Sequence, residues 1–168
     1  MQPVSPTNDQ IVTTGALEAA SALARLLRVP VHAEAVATVD VASLVGSHSG
    51  SAVVIVFEAS GGVTGTLALV IDDAVAVWLA SHISSAITHD DAIGRVALAA
   101  LSELGNIVAS AFLNGAAKVV GRTCLPSVPG VVHGATAEAV TSAAPLGTSL
   151  RVVKLRAQQQ WFSLFFTG

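Results

Sequence analysis

The sequence is short of cysteine, of aromatic rings and of charge, and each shortage removes a class of protein. One cysteine, Cys124, cannot close an internal disulfide, and no second thiol stands near it to build a zinc site, so a reducing compartment is expected. Charged residues make up only 11% of the chain, and 8 Lys plus Arg against 11 Asp plus Glu leave a net charge of −3. That balance provides no excess basic field for a phosphate backbone, so nucleic acid is not an expected partner. No uninterrupted apolar run reaches the roughly 18 residues that a membrane span needs. The longest uncharged stretch, Val41 to Phe57, is interrupted by Gly46-Ser47-His48-Ser49-Gly50-Ser51. The first residues, Met1-Gln2-Pro3-Val4-Ser5-Pro6, have no basic region leading into an apolar run and do not read as a signal peptide. A cytoplasmic protein without membrane insertion is expected. What is present is small apolar side chains: 52% of the 168 residues are hydrophobic and the mean hydropathy is +0.70, with 30 Ala and 25 Val. Such a chain buries enough surface for one compact domain, 1–168, and favours closely approaching helices and β-branched strands.

Along the chain, residues 1–9 are polar and proline-bearing and read as a flexible arm. Gln10 to Arg28 reads as a helix, with Arg25 and Arg28 in its last turn and Pro30 stopping it. Val31 to Val41 alternates like a strand, and Gly46 to Gly50 is a turn. Ala52-Val53-Val54-Ile55-Val56-Phe57 and Thr64 to Ile71 form a hairpin about Ser60-Gly61-Gly62, and Asp72 or Asp73 caps a short helix over Ala74 to Ile83. The second half repeats the order. Asp90 or Asp91 caps a helix from Ala92 to about Val119 ending at Gly121, and residues 123–130 form a proline-containing connector. Val131 to Val140 reads as a strand, and Leu150 to Leu155 with Trp161 to Phe166 as a terminal hairpin. Helix, strand, strand, strand therefore occurs twice, in repeats of about 10–87 and 90–168. The expected fold is α+β and pseudo-symmetric: a duplicated helix-plus-three-strand unit, with two long helices packed on a mostly antiparallel six-stranded sheet. The chain runs two residues past Phe166, so no counterpart of the helix after the first hairpin is expected.

The second long helix carries the chemical signal. At 100° per residue, Leu101, Leu104, Val108, Ala111 and Phe112 share one face, which reads as core. The opposite face gathers Ala99, Glu103, Asn106, Ser110, Asn114 and Ala117, and there Glu103 and Asn106 are neighbours three residues apart. Glu103 is the one charged residue between Arg95 and Lys118, and Asn106 follows Gly105 in mid-helix, where both are poor helix formers. Such a pair is more often plain surface. The alanines beside it leave a low surface that another protein's backbone can approach.

Leu101-Ser102-Glu103-Leu104-Gly105-Asn106-Ile107-Val108 resembles the signature helix of the CheC/CheX/FliY family, phosphatases of phosphorylated CheY. The family pattern runs Asp or Ser, three residues, Glu, two residues, Asn, 22 residues, Pro, and Glu103, Asn106 and Pro129 fall on that spacing. Ala19-Ala20-Ser21-Ala22-Leu23 with Leu26-Leu27 is similar to the family's first helix, and Gly65-Thr66-Leu67-Ala68-Leu69 to its central hairpin. Two positions depart from the pattern. Ala99 stands where it opens with Asp or Ser, and in the first repeat the equivalents of Glu, Asn and Pro are Gln10, Thr13 and Val36.

The resemblance implies one active site, in which the Asn106 amide orients a water for in-line attack on an aspartyl phosphate and Glu103 pairs with a lysine of a CheY-like receiver. It implies magnesium in the receiver and no cofactor in this chain. Pro129 is expected to shape the connector. A non-catalytic adaptor for a receiver or a CheD-like deamidase, and a flagellar-switch component, are the competing functions.

Other residues read as structural. His82 and His89 with Asp90 and Asp91 have no standard metal spacing. Ser60-Gly61-Gly62-Val63-Thr64-Gly65 lacks the Gly-Lys-Ser/Thr ending of a phosphate loop. Cys124 lies near Arg122 but has no evident base. His133 reads as a neutral strand histidine that could border the site, and Arg151, Lys154 and Arg156 as a charged strand edge.

Overall fold

The first helix, α1 (Asn8–Leu27), begins where Thr7 and Gln10 cap each other: the Thr7 hydroxyl accepts from the Gln10 amide at 3.2 Å, and the Gln10 carboxamide accepts from the Thr7 amide at 2.8 Å. A computed structural model describes residues 4–87 and 93–168 of the chain. The helix therefore starts two residues before the expected Gln10, because Thr7 supplies a cap that its hydroxyl and the Gln10 amide complete together. It ends at Arg28, in a left-handed conformation, before Pro30.

The chain then adds β1 (Val31–Ala33), β2 (Ala37–Asp40), α2 (Val41–Gly46), β3 (Ser51–Gly61), β4 (Gly65–Asp72) and α3 (Asp73–Ile83). The second half supplies α4 (Arg95–Val120), β5 (Cys124–Pro126), β6 (Gly130–Ala135), α5 (Thr136–Ala143), β7 (Ser149–Ala157) and β8 (Gln160–Phe166). The expected caps Asp90 and Asp91 lie outside the described residues. The eight strands of the described residues join one antiparallel sheet, arranged in lanes as β1/β2, β7, β8, β4, β3, β5/β6. The six expected strands are thus six lanes, each outer lane broken into two short strands.

The duplication is exact enough to be seen in single hydrogen bonds. Ala33 and Ala37 flank a bulge against β7 as Pro126 and Gly130 flank one against β3, 93 residues later. In each bulge three residues face two, Glu34, Ala35 and Val36 in the first and Ser127, Val128 and Pro129 in the second. The Glu34 amide donates to the Lys154 carbonyl and the Ser127 amide to the Glu58 carbonyl, both at 2.9 Å. Each repeat places its outer lane against the other repeat's hairpin. Neither half can complete its sheet alone.

Four expectations are corrected here. The strand expected over Val31 to Val41 is two strands about the first bulge, and Val41 already belongs to α2, because the Asp40 carboxylate accepts from the Ser43 amide at 2.7 Å and starts a helix. The strand expected over Val131 to Val140 stops at Ala135, where the Thr136 hydroxyl donates to the Ser49 carbonyl and α5 begins. The connector 123–130 contains β5. The charges expected on a strand edge lie on an inner lane, since β1 and β2 cover the outer side of β7. Arg151 pairs with Asp9 and Arg156 with Glu34, both at 2.9 Å, while Lys154 lies over the Trp161 ring.

Alternation along the strands divides the core between two faces of the sheet. Ile55, Phe57, Leu67, Leu69, Leu155 and Phe166 point to α1, α3 and α4, whereas Val54, Val70, Val152 and Phe165 point to α2 and α5. α4 is long and apolar enough to cross a membrane. Here half of that apolar window is buried in the fold. The backbones of α1 and α4 nearly touch, for a Cβ on Gly115 would stand 2.8 Å from the Gly15 Cα. Phe112 fills the space over Gly15 and meets the Phe166 ring at 5.8 Å. This packing fixes how far α4 stands proud of the sheet, and so where its outer face lies.

Candidate functional site

α4 runs unbroken from Arg95 to Val120 and closes on Gly121, whose φ of 70° favours a residue without a side chain. Its inner side is set by Leu101, Leu104, Val108 and Phe112, all fully buried; Ala111, expected beside them, is only half-buried because it sits at the border of the stripe. Gly105 is buried too. A Cβ there would meet Ile55 Cγ2 at 2.9 Å and Phe57 Cζ at 3.4 Å, so this glycine lets the helix lie directly on β3. Its presence beside Asn106 has a packing cause.

The outer side presents Ala99, Glu103, Asn106, Ser110 and Asn114, all exposed, as the helical period requires. Ala117 is half-buried. Among the described residues, neither the Glu103 carboxylate nor the Asn106 carboxamide has a hydrogen-bond or ion-pair partner. The next acid, Glu18 on α1, is engaged by Lys118 at 2.7 Å. Two turns before Glu103 on the same face stands Val96, 57% exposed although apolar. Pro129 lies half-buried in the second bulge, in register beside Phe57 and hence at the level where Gly105 touches the sheet. The result is a low surface on which one anion, Glu103, and one amide, Asn106, stand a turn apart beside an apolar shoulder. A carboxamide held this way can donate to one atom and accept from another, which is what orienting a water requires, and the carboxylate can receive a cation.

The first repeat offers the same frame without those groups. Gln10 and Thr13 are exposed on α1, but Gln10 lies in the first turn and its side chain is bound to the Thr7 amide. Leu17, also 57% exposed, occupies the place of Ser110. Val36 takes the bulge position of Pro129.

The remaining candidates are dispersed. His82 stacks on Trp78 and bonds its carbonyl at 2.8 Å, at the end of α3. His89, Asp90 and Asp91 lie outside the described residues. His133 pairs with Asp73 at 3.1 Å. Cys124 is buried, its thiol donating to the Arg122 carbonyl. The glycine-rich segment after β3 is the hairpin turn. Among the described residues no three His, Cys, Asp or Glu gather as a metal site. Sequence reading missed one polar cluster, His48 with Asp72 and Ser163, because its members are 24 and 115 residues apart and only the sheet brings them together.

A sequence model described as the CheC-like family matches residues 96–133, from α4 into β6. No curated protein matches the chain. Solved structures share its fold across nearly its whole length. FliY of Thermotoga maritima superposes with a TM-score of 0.75 at 18% identity, covering 99% of this chain and 93% of that one. CheX of Borrelia burgdorferi, solved in complex with CheY, BeF3 and Mg2+, gives 0.72 at 17% identity, covering 95% and 98%. FliM of H. pylori, solved in complex with SpeE, gives 0.72 at 13% identity, covering 96% and 88%. The chain thus shares its fold with the FliY and CheX structures, and its residues from α4 into β6 are similar in sequence to the CheC-like family.

Proposed function

We propose that this protein hydrolyses the aspartyl phosphate of a CheY-like receiver, with Asn106 and Glu103 on α4 as the residues that meet it. The observation that carries this reading is the pair itself: two polar side chains, unpartnered among the described residues, side by side on a helix whose other residues between Arg95 and Asn114 are apolar or small. The CheX structure solved with CheY agrees with it in fold.

Phosphoryl transfer to water needs positioning and charge neutralisation more than covalent help. Asn106 would enter the receiver's site, its carboxamide oxygen accepting from the attacking water while its N–H₂ donates to an oxygen of the site. Glu103, one turn away, would pair with a receiver lysine and set the angle of entry. Ala99 leaves room for the receiver backbone. Pro129 keeps the second bulge rigid behind the helix. Magnesium would be held by the receiver's own carboxylates and would neutralise charge on the phosphoryl group, so this chain needs no metal. A phosphatase of this kind works in the cytoplasm.

Asn106→Ala is expected to lower phosphate release from a phosphorylated receiver on the order of 100-fold, about 3 kcal/mol of barrier, with an unchanged circular dichroism spectrum. Equal rates for the two proteins would end the reading. A second reading, that of a receiver- or CheD-binding adaptor or a flagellar-switch part, is favoured by Ala99 in place of an Asp or Ser and by the likeness to FliM. Binding of a receiver with no phosphate release would select it.

A further inference from the structure

The outer face of α4 continues past Asn106 and runs into a groove at the end of the helix. About 410 Å³ in volume, it is walled by Asn114 and Lys118 of α4, by Arg122 and Thr123 of the turn that follows, and by Leu125 of β5. Asn114 belongs to both surfaces, since it shares the face of Glu103, Asn106 and Ser110. Groove and helix face are therefore one continuous strip. Among the described residues no acid lines the groove. Lys118 is neutralised by Glu18 at 2.7 Å, whereas Arg122 is exposed and, among the described residues, has no ion-pair partner. The negative end of the α4 dipole lies here, but it amounts to roughly half a charge and leaves Arg122 in excess. Beside it Leu125 is 58% exposed although apolar.

A feature that only closes the helix would recur in the first repeat, because the frame does. Gly121 ends α4 and Arg28 ends α1, both left-handed and 93 residues apart. At that offset Asn114 and Lys118 match Ser21 and Arg25, which bond each other at 3.1 Å. Arg122 matches Val29, which packs against the core, and Leu125 matches the exposed His32. Among the described residues, an unpaired cation beside an exposed leucine thus marks the end of the long helix that carries Glu103 and Asn106, and not the end of its counterpart.

We propose that this groove is a second docking point for the receiver that meets Glu103 and Asn106, taking from it an acidic segment that carries an apolar side chain. This rests on the reading of α4 as the face that meets a receiver. Charge complementarity names the occupant: in a chain of net charge −3, a cation left unpaired beside an apolar wall calls for a carboxylate with apolar neighbours. The reach is sufficient. From Glu103 to the last helical residue, Val120, the axis runs about 25 Å at the usual rise. A single domain of roughly 100 residues has a radius of gyration of about 13 Å and is roughly 30 Å across, so one receiver covers both points. With Glu103 drawing a lysine at one end and Arg122 a carboxylate at the other, the receiver seats in one direction along α4. Turned end for end, it would set like charges against each other at both points.

A CheY-like receiver loaded with beryllium fluoride and magnesium is titrated calorimetrically into the full chain and three variants, at about 0.1 M and about 1 M salt. Arg122→Glu is expected to weaken binding about tenfold at the lower salt and much less at the higher, where the screening length falls from about 10 Å to about 3 Å. Leu125→Ser is expected to weaken it about threefold at both, because an apolar contact is not screened. Arg25→Glu, which changes the net charge by the same amount near the end of α1, should bind as the wild type does. All three positions are exposed, and circular dichroism checks that each variant folds. Wild-type affinity in Arg122→Glu overturns the proposal. An equal loss in Arg25→Glu overturns it too, since net charge and not the groove would then attract the receiver. Failure here is separable from failure at α4: an Asn106→Ala protein that releases phosphate as fast as the wild type sinks the catalytic reading, while the salt-dependent loss at Arg122 still decides the groove.

Discussion

The two long helices differ less in architecture than in where the chain enters them. α1 and α4 pack on the same sheet face, and their following bulges correspond residue for residue at an offset of 93. Yet Gln10 falls in the first turn of α1, whereas Glu103, its counterpart, lies two turns into α4, which begins at Arg95. A first-turn side chain is the natural partner of an unsatisfied amide, and Gln10 is used in that way. A side chain two turns in has no free backbone group to serve. The position that stabilises a helix start in one repeat is available for a partner in the other, and the lesson is that the same frame yields a cap or a contact according to helix length.

Paired substitutions test this contrast. Asn106→Ala should cost about 100-fold in phosphate release and Thr13→Ala should cost nothing measurable. Comparable losses would show that both faces act on the receiver. Gly105→Ala comes next, since its methyl would stand 2.9 Å from Ile55 Cγ2. It should lower stability by roughly 1–3 kcal/mol, read from urea unfolding, and an unchanged midpoint would mean that α4 lifts freely off β3. Glu103→Ala should weaken receiver binding by about tenfold, near 1.4 kcal/mol, without unfolding the protein. Gln10→Ala should do the reverse, leaving binding alone and costing about 0.5–1 kcal/mol of stability through the lost cap. Titration calorimetry and thermal melts on both variants separate the two roles.

The smallest effect concerns the turns after α2 and α5, of which the first holds buried His48 and the second Pro145 to Gly147. Burial lowers the folded-state pKa of His48 below its ordinary 6.5, so the unfolded chain binds that proton more readily. The contribution is complete above pH 6.5 and declines as the pH falls below it. The wild-type melting temperature should therefore drop between pH 7 and pH 5.5 more than that of His48→Gln. Parallel curves would show that the imidazole does not report on folding.

Much of the site was legible in the sequence because an α-helix has a fixed period. Glu103, Asn106, Ser110 and Asn114 had to share a face once residues 95–120 were helical, and the buried leucines said which face was inside. The packing use of Gly105 was not legible, because a glycine that weakens a helix locally also permits contact with β3, and that contact partner is remote in sequence. Helices α2 and α5 escaped notice for a related reason. Both are short and follow strands, and their starts depend on Asp40 accepting from Ser43 and on Thr136 reaching Ser49.

Local chemistry, repeated along the chain, determined the two long helices, the two hairpins and the pairing of a carboxylate with a carboxamide on one helical face. Periodicity and capping act over a few residues, so a linear reading captures them. The exchange of outer lanes between repeats, the matched bulges and the junction of His48, Asp72 and Ser163 were decided only in three dimensions. They depend on which strands become neighbours, and strand pairing is settled by the burial of the whole sheet between two helical layers.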